Sequence, residues 1–185
     1  MQILTRSRLN LFLLAFSSVL LSNCSNSGDK EQPNDLTKKN GHMQSSLPAF
    51  TLQAMDGNII SSQTFHGNVL VVDFWATWCR PCITEIPKYN RLNAKYEGQD
   101  FRFVGITMDS GDLETIKPFV SKFAIQYPIY VGDSHVVDVF GGVQGYPTTF
   151  VIDKHGTIQK SYLGIARDKA EEIDALVEKL LRESS

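Results

Sequence analysis

The feature that most constrains this chain is a pair of cysteines at the junction between an apolar segment and a helical one. Residues 69–75 (VLVVDFW) form a nearly continuous apolar run, which is typical of a strand buried on both faces. Residues 80–96 then follow a helical pattern. Cys79 directly precedes this helix and Cys82 lies in its first turn. The sequence therefore predicts a buried strand that gives way to a helix at a CxxC motif.

The remaining pattern predicts one α/β domain that begins near Leu47. Residues 50–55 alternate and are followed by Asp56-Gly57, which indicates an N-terminal β-hairpin. The other predicted elements are a strand at 101–107, a helix at 113–123, a strand at 128–131, a helical turn at 136–140, strands at 148–152 and 157–163, and a helix at 167–181. This order predicts three layers, α/β/α, around a central mixed sheet.

The first 23 residues have the pattern of an export signal. Arg6 and Arg8 precede a mostly apolar run at 9–21. Thirteen helical residues rise about 20 Å, which is short for a bilayer core of about 30 Å. The signal ends in Leu21-Ser22-Asn23-Cys24, which resembles the lipobox of bacterial lipoproteins, although Asn23 stands where a small residue is usual. The resemblance implies that Cys24 carries a lipid.

Residues 24–46 are predicted to be a lipid-anchored flexible linker, because polar residues there cannot bury enough surface to fold. Removing residues 1–23 takes away two arginines and no acid, which leaves 16 basic against 20 acidic residues. A mildly acidic protein lacks the charge expected of a nucleic-acid binder. The domain prediction is thus a signal at 1–23, a linker at 24–46 and a folded domain at 47–185.

The position of the cysteine pair favours redox chemistry. Unpaired N–H groups and the dipole at a helix N-terminus favour a negative sulfur at Cys79, and Arg80 adds a positive charge beside it. Pro81 fits the first helical turn because its missing N–H costs nothing there. Cys79 is expected to attack a substrate disulfide, and Cys82 is expected to resolve the mixed disulfide.

Two structural interpretations of the cysteine pair are less favoured. A disulfide that closes so short a loop restricts the unfolded chain little, so it would be a poor staple. A zinc site needs four ligands, and the sequence has neither a second cysteine pair nor a close histidine pair. His42, His66, His135 and His155 are scattered and are predicted to be surface residues. We expect no metal and no cofactor.

Three motifs resemble the thioredoxin superfamily. Residues 72–82 (VDFWATWCRPC) are similar to its active-site segment, and residues 145–150 (GYPTTF) to its substrate-binding loop. Residues 82–87 (CITEIP) are similar to the TlpA/ResA branch, whose members are extracytoplasmic and often anchored. The resemblance covers about residues 47–183. It implies a thioredoxin fold with an N-terminal β-hairpin and an extra strand and helix inserted in the centre.

The resemblance assigns roles to two acids. Asp73 is expected to lie beneath Cys82 and exchange that thiol's proton, with a pKa raised by burial; the alternative is a solvent-facing acid at the strand end. Glu85 matches a glutamate that tunes the cysteine pair in ResA-type proteins; the alternative is a solvated helix residue.

Five residues are predicted to contact the substrate. By resemblance the bond between Tyr146 and Pro147 is cis, and the backbone of Tyr146 pairs with the substrate chain. Trp78 is expected to screen the cysteine pair, the alternative being an ordinary core aromatic. Arg80 and Pro81 complete the set.

The sequence favours a membrane-anchored, periplasmic-side thiol–disulfide oxidoreductase. The resembled branch typically acts on exported proteins such as apocytochrome c, in cytochrome c biogenesis, and receives electrons from a membrane thiol carrier. A peroxidase is a second possibility, but the peroxiredoxin signature would need Pro and Thr or Ser where this chain has Val72 and Ala76. A copper-binding or chaperone-like module is a third, and it would want wider cysteine spacing and a nearby histidine.

Overall fold

The computed structural model describes residues 47–183. The predicted signal, Cys24, the linker and His42 lie outside the described residues. The strands are β1 (Thr51–Ala54), β2 (Ile59–Ser61), β3 (Val69–Trp75), β4 (Phe101–Thr107), β5 (Ile129–Val131), β6 (Thr148–Ile152) and β7 (Ile158–Leu163). The helices are α1 (Arg80–Lys95), α2 (Leu113–Lys122), α3 (Ser134–Val139) and α4 (Lys169–Glu183), with a short 3-10 helix at Ser62–Phe65.

The strands form one mixed sheet in the order β2-β1-β5-β4-β3-β6-β7. β3 lies between β4, to which it is parallel, and β6, to which it is antiparallel. β5 is parallel to β4 and antiparallel to β1, so the extra strand joins the N-terminal hairpin to the rest of the sheet. The predicted architecture is confirmed, and the element boundaries agree with the prediction to within two residues.

Side chains alternate across β3, and every residue of this strand is buried. Val69, Val71 and Trp75 pack into one apolar cluster together with residues of α1, α2 and α4. Leu70, Val72 and Phe74 pack into a second cluster on the other face with residues of α3 and of the N-terminal segment. β3 is therefore the middle of three layers, and its odd-numbered side chains point toward α1 and α4.

Candidate active site

Cys79 is the N-cap of α1, and a disulfide joins it to Cys82, with the two Cα atoms 5.3 Å apart. The Sγ atom of Cys79 accepts a hydrogen bond of 3.2 Å from the backbone N–H of Cys82. Both cysteines are buried, and Pro81 lies in the first turn as predicted. A helix N-terminus that already donates to this sulfur would also stabilise its thiolate.

The segment between β3 and α1 is braced by the loop that follows β4. The backbone N–H of Thr77 donates to Ser110 Oγ over 3.0 Å, and Trp78 Nε1 donates to the carbonyl of Asp109 over 3.0 Å. The Trp78 side chain is 62% exposed. The interpretation of Trp78 as a core aromatic is therefore wrong, and its indole is available at the surface beside the cysteine pair.

The peptide bond between Tyr146 and Pro147 is cis, as the resemblance predicted. The carbonyl of Pro147 accepts a 2.8 Å hydrogen bond from the N–H of Gly164. The ring of Tyr146 lies 5.7 Å from that of Trp78, between centroids, and its hydroxyl donates to Asp109 Oδ2 over 3.3 Å. These contacts place the proline loop, Trp78 and the loop after β4 at one surface.

Asp73 is buried in the middle of β3, so the solvent-facing alternative is wrong. Its Oδ1 accepts a hydrogen bond of 2.7 Å from the hydroxyl of Thr149 on β6. Burial raises the pKa of Asp73 to about 7, opposed by the charge of Lys169 and by the Thr149 hydrogen bond. A carboxyl group with this pKa exchanges protons near neutral pH.

Glu85 is also buried, which contradicts the alternative of a solvated helix residue. Its Oε2 lies 3.0 Å from Nζ of Lys169, which is 1% exposed, and 3.2 Å from the hydroxyl of Tyr89. The Tyr89 hydroxyl is in turn 3.1 Å from Thr149 Oγ1. A continuous series of polar contacts thus joins Glu85 to Asp73 beneath the cysteine-bearing helix.

Sequence reasoning missed the buried Lys169 and the linking roles of Tyr89 and Thr149. Tyr89 is four residues after Glu85, a spacing that brings side chains together on a helix. Lys169 precedes Ile173 by four residues and so extends the apolar stripe of α4. A lysine at that position of the stripe is the one sequence signal that could have indicated its burial.

The three described histidines, His66, His135 and His155, are exposed, as predicted. Within residues 47–183 no group of three or more histidine, cysteine or acidic side chains is placed to hold a metal ion. Arg80 and Pro81 are exposed next to the disulfide.

The fold and the site define a thioredoxin-fold thiol–disulfide oxidoreductase, and comparison with known proteins agrees. The AhpC/TSA family model matches residues 43–161. ResA, a thiol-disulfide oxidoreductase of Geobacillus thermodenitrificans, is 31% identical over 120 residues, which cover 65% of this chain and 68% of the relative. ResA of Bacillus thuringiensis subsp. konkukian is 30% identical over 117 residues, covering 63% and 67%.

A solved thiol:disulfide interchange protein of the thioredoxin family from Chlorobium tepidum has a TM-score of 0.65 and 30% identity. That match covers 74% of this chain and 95% of the solved one. The chain belongs to the AhpC/TSA family, among its thioredoxin-like thiol–disulfide oxidoreductases.

A pH titration of stability tests the state of Asp73 in the oxidised protein. Below about pH 4 the carboxyl is protonated whether the chain is folded or not. Between about pH 4 and 7 only the unfolded chain has released the proton, so the free energy of unfolding should fall by roughly 1.4 kcal/mol per pH unit. Asp73→Asn should remove this fall and be more stable than wild type at pH 8, measured by urea unfolding.

Asp138→Asn, at an exposed position on α3, serves as the control and should keep the wild-type slope. Equal slopes for wild type and Asp73→Asn would show that Asp73 is ionised throughout this range.

Proposed function

We propose that this protein exchanges disulfides with exported proteins through Cys79 and Cys82, acting as a reductase of the kind that serves cytochrome c maturation. The observation that carries the proposal is the Cys79–Cys82 disulfide at the N-terminus of α1, with Cys79 Sγ held by a backbone N–H. The resemblance to the TlpA/ResA branch supports the choice of exported substrates and of a membrane thiol carrier as electron donor.

The reaction begins with both cysteines reduced. The Cys79 thiolate attacks one sulfur of the substrate disulfide, that bond breaks, and a mixed disulfide forms while the other substrate sulfur leaves as a thiolate and takes up a proton. The Cys82 thiol then loses its proton and attacks Cys79 Sγ. The second substrate thiol is released, and the protein keeps the Cys79–Cys82 disulfide. Two electrons pass to the substrate, and the membrane thiol carrier returns two to the protein.

Asp73 is proposed to take the proton that Cys82 loses. Its carboxyl group lies on the face of β3 that α1 covers, since Thr149 contacts both this carboxyl and Tyr89 of α1. Efficient proton transfer needs a group whose pKa lies near the working pH, and the pKa of Asp73 is about 7. Glu85 is proposed to adjust the reactivity of the Cys79–Cys82 pair from the buried side of α1, through its contacts with Tyr89 and Lys169.

The substrate is proposed to bind across Trp78, Arg80, Pro81, Tyr146 and Pro147. Trp78 and Tyr146 present an aromatic surface next to the disulfide, and Arg80 and Pro81 are exposed on the first turn of α1. An extended substrate chain could add its backbone to that of Tyr146, as in other cases of strand addition. Such recognition tolerates varied side chains, as a general disulfide reductase requires.

The proposed location is the periplasmic side of a bacterial membrane, with a lipid on Cys24. This rests on the signal pattern at 1–23, the lipobox-like residues before Cys24 and the polar composition of 24–46. Of the helices within residues 47–183, none combines the length and apolar character needed to cross a bilayer.

Substitution of Cys79 or Cys82 in a Cys24→Ser background tests whether Cys79 attacks the substrate and Cys82 resolves the mixed disulfide. Cys79→Ser should reduce insulin disulfides no faster than dithiothreitol alone, because the attacking sulfur is missing. Cys82→Ser, reduced and then freed of dithiothreitol, should attack once and remain linked to insulin, since no second thiol then resolves the mixed disulfide. Turbidity follows the reduction, and mass spectrometry under non-reducing conditions detects the adduct.

The background variant itself should reduce insulin at the wild-type rate. Exchange activity retained by Cys79→Ser would refute the proposal. Turnover of hydrogen peroxide in place of insulin would indicate a peroxidase, and stoichiometric copper binding without insulin reduction would indicate a metal-binding module.

The direction of electron flow can be read from the reduction potential of the Cys79–Cys82 pair against glutathione. A reductase should have a potential closer to that of thioredoxin, about −270 mV, than to that of strong oxidants, about −120 mV. Arg80→Gln should lower the potential further, because it removes a cation next to the thiolate. Arg91→Gln, exposed later on the same helix, is the control. A potential near that of the strong oxidants would indicate an oxidase.

Lipidation can be tested by expressing the full chain in a bacterial host that processes lipoproteins. Wild type should enter the detergent phase of a Triton X-114 partition and incorporate labelled palmitate. Cys24→Ser should lose both properties, while Cys82→Ser should retain them. Equal partitioning of wild type and Cys24→Ser would show that the lipid is absent.

A further inference from the structure

Lys169 is a charged side chain in an unusual place. It is the first residue of α4 and is 1% exposed, although a cation at a helix N-terminus opposes the helix dipole and lysine is rarely buried completely. Its Nζ donates to Glu85 Oε2 and to the carbonyl of Gly164, each over 3.0 Å. Burying a charge is costly, so the ammonium group needs these two acceptors to be stable there. Removing one partner of such a buried ion pair strongly destabilises the fold.

The hydroxyls of Tyr89 and Thr149 connect this ion pair to Asp73. Thr149 has one hydroxyl proton and donates it to Asp73 over 2.7 Å when the carboxyl is ionised. Tyr89, 3.1 Å from Thr149 and 3.2 Å from Glu85, also has a single proton to donate. When Asp73 is protonated it can donate to Thr149, which then donates to Tyr89, which donates to Glu85. The Thr149 hydroxyl therefore donates to Asp73 or to Tyr89 according to the proton of Asp73, while Tyr89 can donate to Glu85 in both states.

We propose that Lys169 is a positioning residue of the exchange reaction: it is the buried cation that the contacts of Glu85, Tyr89 and Thr149 hold near Asp73, and its charge sets the proton affinity of that carboxyl group. The inference rests on the proposed role of Asp73 as proton acceptor for Cys82. Lys169 touches neither cysteine in this role. It acts by keeping the two buried carboxyl groups of Asp73 and Glu85, which are 12 residues apart in sequence, from competing for one proton.

The charged and titratable groups around Asp73 are few. Lys169 approaches from α4, Glu85 and Tyr89 from α1, and the buried phenol of Tyr127 from the segment before β5. The pKa of Tyr127 is raised by its burial, so this phenol stays neutral near pH 7. After burial itself, the ammonium of Lys169 is the strongest influence on the pKa of Asp73 and lowers it, whereas Glu85 raises it less. Without Lys169, two acids would share a buried site with no cation.

The test compares three variants of the oxidised full chain. Lys169→Met removes the buried charge, and Lys169→Arg keeps a cation. Lys95→Met is the matched control, because Lys95 also joins α1 to α4, through an exposed 2.7 Å ion pair with Asp174. The readout is the midpoint of the Asp73 carboxyl signal in a ¹³C NMR titration, assigned by its loss in Asp73→Asn. The pH profile of insulin reduction is followed alongside.

Lys169→Met should raise the Asp73 midpoint by about one pH unit or more and move the pH profile the same way. Lys95→Met should leave both unchanged, and Lys169→Arg should return the midpoint toward wild type. If Lys169→Met does not fold, Glu85→Gln combined with Lys169→Met carries the test, since both charges are then absent. In the double variant the Asp73 midpoint should lie slightly above that of wild type. Lys169 lowers the pKa of Asp73 more than Glu85 raises it, so removing both charges leaves a small net increase.

A wild-type midpoint in folded Lys169→Met, or a midpoint in the double variant at or below that of wild type, would overturn the inference and leave Lys169 a packing residue. A shifted Asp73 midpoint in a protein that reduces no disulfide would refute the proposed function while the coupling between Lys169 and Asp73 stands.

Discussion

A carboxyl group buried under a helix needs partners, because water cannot reach it there. Asp73 is such a group, in an interior strand of a seven-stranded sheet, with β4 on one side and β6 on the other. Its position decides what surrounds it. Thr149 lies directly opposite on β6, and Gly105 opposite on β4 offers no side chain. The polar contacts of Asp73 must therefore come from β6 and, beyond it, from the helices that cover this face.

The same strand sets the position of the cysteine pair. Four residues separate the end of β3 at Trp75 from the start of α1 at Arg80, so Cys79 falls at the helix N-terminus. A shift of the strand by one residue would turn Asp73 to the opposite face and move the helix start relative to the cysteines. The acid and the sulfurs are thus placed by one element, and the extensive apolar packing on both faces of β3 fixes its register.

The order of elements, the cysteine junction and the burial of Asp73 were predictable because each rests on local periodicity or on a short motif. The ion pair between Glu85 and Lys169 was not, since its two residues are 84 positions apart on different helices and lysine is a residue type that is seldom buried. The exposure of Trp78 was not predictable for a similar reason. It depends on the loop at Asp109 and on Tyr146, which the chain brings together only in the folded state.

The buried cluster contains two acids and one base, so its net charge is zero when Asp73 is protonated and −1 when it is ionised. Transfer of a proton from Cys82 to Asp73 would therefore make the cluster neutral at the moment when the sulfur becomes negative. The negative charge moves from the carboxyl toward the helix instead of being added to a site that already holds one. Lys169 does not alter this change of charge, but it weakens the hold of Asp73 on the proton, because without it the cluster would hold one more negative charge in either state.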